Sequence, residues 1–96
     1  MGARSGARYV SITGNLMPWN TDRPVMVIIE GQRFVPVYSS EDKLRASMVE
    51  CGWDQEYTIK QVTDGRDFLD SLNEARVFVC LDPHLVDGVT RFTLCM

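Results

Sequence analysis

The stretch Phe34 to Trp53, FVPVYSSEDKLRASMVECGW, holds a strand, a helix cap, an amphipathic helix and a stop, and the remaining chain is read outward from that unit. Phe34-Val35-Pro36-Val37-Tyr38 has the β-branched and aromatic content of a strand. Pro36 cannot donate to a ladder, which predicts an edge position or a bulge there. Ser39 is the expected N-cap, with Glu41 and Asp42 at the positive end of the helix dipole. Leu44, Met48 and Cys51 recur at helical spacing on one face, while Lys43, Arg45, Ser47 and Glu50 cover the solvated side. Gly52 stands where a left-handed residue closes a helix. Burial of each large side chain on that face contributes about 1.5–3 kcal/mol, enough to dock a helix that is marginal alone.

Upstream, residues 1–7 are small and polar and are expected to form a disordered tail. Tyr9 to Thr13 alternates like a strand. Gly14 to Arg23 carries Gly, Asn, Pro and Asp and reads as an irregular loop holding Leu16, Met17 and Trp19. Val25 to Ile29, VMVII, is a continuous apolar run and reads as a strand buried on both faces. Gly31 then suits a type II′ hairpin turn that returns the chain antiparallel into Phe34–Tyr38.

Downstream, Tyr57 to Val62 predicts a half-exposed strand. Thr63 or Asp64 caps a second helix whose buried face is Phe68, Leu69, Leu72 and Ala75. Val77 to Leu81, VFVCL, predicts a central strand ended by Asp82-Pro83. A loop follows to Gly88, then a last strand over Val89–Leu94 with Phe92 and Leu94 inward. The fold class is therefore α+β: one domain over residues 1–96, a single mixed β-sheet of five to six strands with two helices packed on it, and the 25–29 and 77–81 strands at its centre. Right-handed crossovers would place both helices on one face.

A chain of 96 residues with 45% hydrophobic and 24% charged residues has ordinary globular composition. A net charge of -3 lacks the basic stripe of a nucleic-acid binder, so no nucleic-acid partner is expected. No apolar run approaches the roughly 20 residues of a membrane span, and MGARSGARYV lacks a secretory apolar region; no membrane partner is expected. Cys51, Cys80 and Cys95 sit in apolar patterns and read as buried reduced thiols, which predicts a cytoplasmic location.

The chemistry-bearing residues point to no catalytic, cofactor or metal site. His84 is the single histidine; with Cys80 and Cys95 it supplies only three of the four ligands of a structural zinc site. A Cys80–His84 nucleophile pair would need a polar, partly exposed thiol, whereas Cys80 lies inside an apolar strand. Asp64, Asp67 and Asp70 read as a solvated helix face. Asp82 to Asp87 lacks the ligand spacing of a calcium loop. Trp19, Met17 and Trp53 read first as packed on their own domain, the loop over a core edge and Trp53 against the sheet, and are otherwise the candidate partner contacts.

Two phrases carry a family resemblance. Val35-Pro36-Val37-Tyr38-Ser39-Ser40-Glu41-Asp42-Lys43-Leu44 and Val77-Phe78-Val79-Cys80-Leu81-Asp82-Pro83 resemble the N-terminal domain of SseB-like (enhanced serine sensitivity) proteins, over about residues 25–85. Asp82 stands where that family usually has Asn, and the family's N-terminal helix is replaced here by a strand and loop. The resemblance implies a small cytoplasmic bacterial protein with an accessory or regulatory role, and no catalytic residues.

The expected function is a non-enzymatic binding or interaction module, self-associating as a homodimer or bound to another protein. A second reading is a small-molecule-binding protein or minor enzyme with a pocket between the 14–23 loop and the sheet. A third is a mobile-element accessory or immunity protein that blocks a partner.

Overall fold

The structure, a computed structural model, describes residues 7–8 and 11–95, with only the backbone of Ala7 and Arg8. The elements are β1 (Ala7–Arg8), β2 (Leu16–Asn20), β3 (Arg23–Pro24), β4 (Val27–Ile29), β5 (Gln32–Val37), α1 (Glu41–Glu50), β6 (Thr58–Gln61), α2 (Gly65–Glu74), β7 (Phe78–Val86) and β8 (Val89–Cys95). The α+β class holds. The single sheet does not: the strands form a five-stranded sheet ordered β1-β8-β7-β5-β4 and a three-stranded sheet ordered β3-β2-β6. One bridge, Leu16 to Tyr38, links the two. The expected tail over 1–7 lies outside the described residues except for Ala7 in β1. Of the strand expected at Tyr9–Thr13, Tyr9 and Val10 lie outside them, Ser11 and Ile12 are irregular, and Thr13-Gly14 is a turn.

The 34–53 unit folds nearly as its residues dictate. Phe34 and Val35 pair antiparallel to β4 and parallel to β7, respectively, so β5 is an inner strand. Pairing with β4 stops at Val27↔Phe34, and at Pro36 only the β7 flank is paired. The missing Pro36 donor is tolerated for that reason. Ser40, not Ser39, caps α1: its hydroxyl accepts from Lys43 N at 3.3 Å. The helix ends in a Schellman motif, in which Trp53 N donates to Met48 O and Gly52 N to Val49 O, with Gly52 at φ 71°.

Three other segments depart from expectation. The 14–23 stretch contains β2 and begins β3; β2 pairs antiparallel with β6, which draws β6 away from the main sheet. Pro18 is accommodated because, like Leu16, which bonds Tyr38, it turns its backbone away from β6, so its absent N–H falls outside the β2–β6 ladder; its carbonyl on that side accepts from Val25 N at 3.0 Å. The Glu30-Gly31 turn does join β4 to β5, but both residues have positive φ, 52° and 83°, which marks type I′ rather than II′. Asp82-Pro83 does not end β7. The strand continues through a bulge between Leu81 and His84 to a second two-residue turn, Asp87-Gly88, also with two positive φ values, and returns as β8. The 82–88 stretch is thus an arm, not a loop.

β7 is the central strand that VFVCL predicts, between β5 and β8. The VMVII run is not central. Its strand β4 is the rim of the five-stranded sheet, and Ile28 is 72% exposed. Two clusters make the core. Ile12, Met17, Val37, Val62, Leu69, Val79 and Cys95 form the first, with Phe68 and Leu72 of α2 packed on it; Ala75 is exposed at the C-cap. Tyr38, Leu44, Met48 and Val25 form the second, under α1. Tyr38 alternates with Val37 along the chain and so points to the other side. The helices therefore serve opposite sides of β5 rather than one shared face. The β5-to-β7 crossover joins parallel neighbours and contains both helices; β1 and β8 are also paired parallel.

Candidate interaction site

An apolar groove of about 280 Å³ runs between the β4 rim, the end of α1 and the β7–β8 arm. Pro36 and Tyr38 line it from the sheet, Met48, Cys51 and Trp53 from α1 and its stop, and Pro83, His84 and Leu85 from the arm. Local rules place each wall. The Schellman turn fixes Trp53 over Met48 in the second cluster. The β7 bulge swings the arm so that Leu85 lines the groove. Met26, Ile28, Leu85, Val86 and Val89 are large apolar residues left exposed on this rim and arm.

The arm is tied to the helix by Asp82. Its carboxylate accepts from Ser39 N and Ser39 Oγ, both at 2.9 Å, and lies 3.5 Å from Lys43 Nζ. Asp82 has φ 51°, a left-handed conformation that Asp and Asn tolerate better than most residues. A second hollow of about 340 Å³ adjoins the groove, bordered by Lys43, Glu50, Asp82 and His84 with Ala46 and Pro83. His84 Nδ1 lies 2.9 Å from Asp82 O. A carbonyl only accepts, so Nδ1 carries a proton in that contact.

The thiols are not arranged for attack. Cys80 is fully buried, and burial pushes its thiol up to about 12, with neighbouring Cys95 adding to the shift. Burial pushes Cys95 up to about 11, with a smaller contribution from Asp82. Such thiols stay protonated at neutral pH, and the thiolate is the nucleophile. Cys51, expected to be buried, is exposed at the α1 C-cap. Among the described residues no group of three or more His, Cys, Asp or Glu side chains converges on a metal position. Asp64 is engaged as the α2 N-cap, accepting from Asp67 N at 3.1 Å.

The three candidate contacts are not brought together. Met17 is 6% exposed and belongs to the first core cluster. Trp19 is half-buried on that cluster, with Lys60 Nζ 4.2 Å from its ring centroid. Trp53 is half-buried in the second cluster and lines the groove. Both indole N–H groups are buried with no hydrogen-bond partner among the described residues. The 14–23 segment borders two other hollows, about 180 Å³ beside Met17 and about 320 Å³ beside Asn20 and Thr21, the second lined mainly by polar residues; the apolar groove lies elsewhere. Reading the sequence missed Ile28, Met26 and Leu85. Their one visible signal was the pair of tight turns, Glu30-Gly31 and Asp87-Gly88, that flank them.

Among the described residues no helix is long and apolar enough to cross a membrane. No protein-family model matches the chain, and neither a curated protein nor a solved structure matches it.

Proposed function

We propose that this chain is a non-enzymatic interaction module that binds a protein, another copy included, along the β4 rim and the groove beside it. The observation that carries the reading is Ile28, 72% exposed in the middle of an edge strand whose outer side has no partner among the described residues. An exposed edge presents free backbone donors and acceptors to an added strand. The apolar walls of the groove would take alternate side chains of that strand. Three unpaired thiols, two of them buried, support a reducing, cytoplasmic setting. The two SseB-like phrases support an accessory or regulatory role.

A photoreactive residue placed at position 28 in living cells tests this reading. The expected result is a discrete protein adduct at position 28 and none at position 49, where Val49 is equally bare but lies outside the groove. No adduct at position 28 would remove the reading. The groove also favours a second reading, a small-molecule site, although about 280 Å³ is at the small end of ligand pockets. A metabolite that raises the melting temperature at constant protein concentration would support that alternative.

A further inference from the structure

We propose that the occupant of the β4 rim is β4 of a second copy, paired antiparallel about Ile28, so that two five-stranded sheets join across a two-fold axis. This rests on the reading of the rim as an interaction surface and names its partner.

The hairpin register decides which backbone groups are free. Ile29↔Gln32 closes the two-residue turn, so it is a hydrogen-bonded pair, and Val27↔Phe34 is the next one. Ile28, between them, turns its N–H and C=O away from β5. An antiparallel two-fold about Ile28 lets the two copies exchange both bonds at that residue. It also sets the barest apolar side chain of the rim against its own twin.

The rim keeps one of the usual defences, shortness, since β4 spans three residues, and lacks the others. Natural edge strands are blunted by charge, Pro or coverage. The edges of the small sheet have these: Arg23 and Pro24 in β3, Lys60 in β6. From Val25 to Ile29 there is no charge and no Pro. Arg33, the cross-strand partner of Ile28, stands one strand inward, and Glu30 follows two residues on, in the turn. Across the joined sheets the two Arg33 residues would be three strand spacings apart, about 14 Å. That exceeds the screening length of about 8 Å at physiological salt, so repulsion between the two Arg33 residues does not oppose the pairing.

The exposed apolar area is about half of what a standard interface buries on each partner. A standard interface buries about 800 Å² per partner, slightly more than half of it apolar. Met26, Ile28, Leu85, Val86 and Val89 are each 40% exposed or more. Together they present roughly 400 Å² of apolar surface, comparable to the largest and often functional patch on a typical monomer.

Sedimentation velocity of the purified chain, from micromolar to near-millimolar concentration, tests the proposal. The expected result is a monomer–dimer equilibrium for the wild type, lost in Ile28→Lys and in Ile28→Pro. The proline removes a donor that the hairpin does not use, and the lysine stands at an exposed position, so both variants should keep the wild-type circular dichroism. Val49→Lys should dimerise as the wild type does. A wild type that stays monomeric throughout, or a dimer that survives Ile28→Lys, overturns the proposal. A monomer whose position 28 still crosslinks to a different protein would overturn only the second-copy assignment. A monomer with no adduct would remove the underlying reading as well.

Discussion

Asp82 holds Ser39 from both ends of one residue: its two carboxylate oxygens accept from the Ser39 backbone N–H and from the Ser39 hydroxyl, each at 2.9 Å. Residues 43 positions apart in sequence thereby fix where α1 begins and where the β7 arm bends. Asp82→Ala should cost about 1–2 kcal/mol, because it removes a charged acceptor from Ser39 donors that are exposed and turn to water and puts Ala at a left-handed φ. Asp82→Asn keeps an acceptor, a donor for the hydroxyl and the backbone tolerance, and should cost about half as much. Urea unfolding of the two variants checks the order. Equal losses would show that the carboxylate ties contribute nothing beyond the charge.

Gly65 opens α2 in a place with no room for a side chain. A Cβ there would meet Thr13 N at 2.9 Å and Ile12 Cγ1 and Thr13 Oγ1 at 3.0 Å. Ala is the better helix former by about 1 kcal/mol. Overpacking against backbone costs about 1–3 kcal/mol, so Gly65→Ala should be net destabilising. Thr13→Val should cost about 1 kcal/mol by removing the acceptor of Gly65 N, 2.9 Å away. Thermal unfolding of both variants is the check, and a more stable Gly65→Ala would contradict the packing.

The cysteines should divide by burial. In the native protein one thiol, Cys51, should react with a thiol reagent, and Cys80 and Cys95 only after denaturation. The linkage follows from the raised values. Unfolded thiols ionise near 9, whereas Cys80 and Cys95 are held near 12 and 11. Their contribution is complete below about pH 9 and is lost as pH rises through 11 to 12. Burial also pushes the Tyr38 phenol up, in the same direction. Stability measured by urea midpoint should therefore fall steadily above pH 9, and Cys80→Ala with Cys95→Ala should flatten that fall.

What was legible in the sequence was local. The α1 stop, the Asp64 cap and the central VFVCL strand depend on residues a few positions apart, and they form. What was not legible depended on distant partners. Whether Ser39 or Ser40 caps α1 is set by Asp82, which claims Ser39. Pro18 reads as a loop signal because the β6 strand that pairs with it is far along the chain. VMVII reads as buried because an apolar run looks the same whether it lies inside a sheet or at its rim. The groove was invisible for the same reason: its walls are Tyr38, Trp53 and Leu85, from three separate stretches.

Amide hydrogen exchange at Ile28 tests the central claim most directly, because that N–H is the group the rim is argued to hold open. In dilute protein it should exchange at the rate of an unprotected amide while Val27 and Ile29 are protected by β5. As concentration rises, Ile28 should gain protection in step with dimer formation. An Ile28 amide that stays unprotected at every concentration, or is protected already in the dilute monomer, would contradict the account.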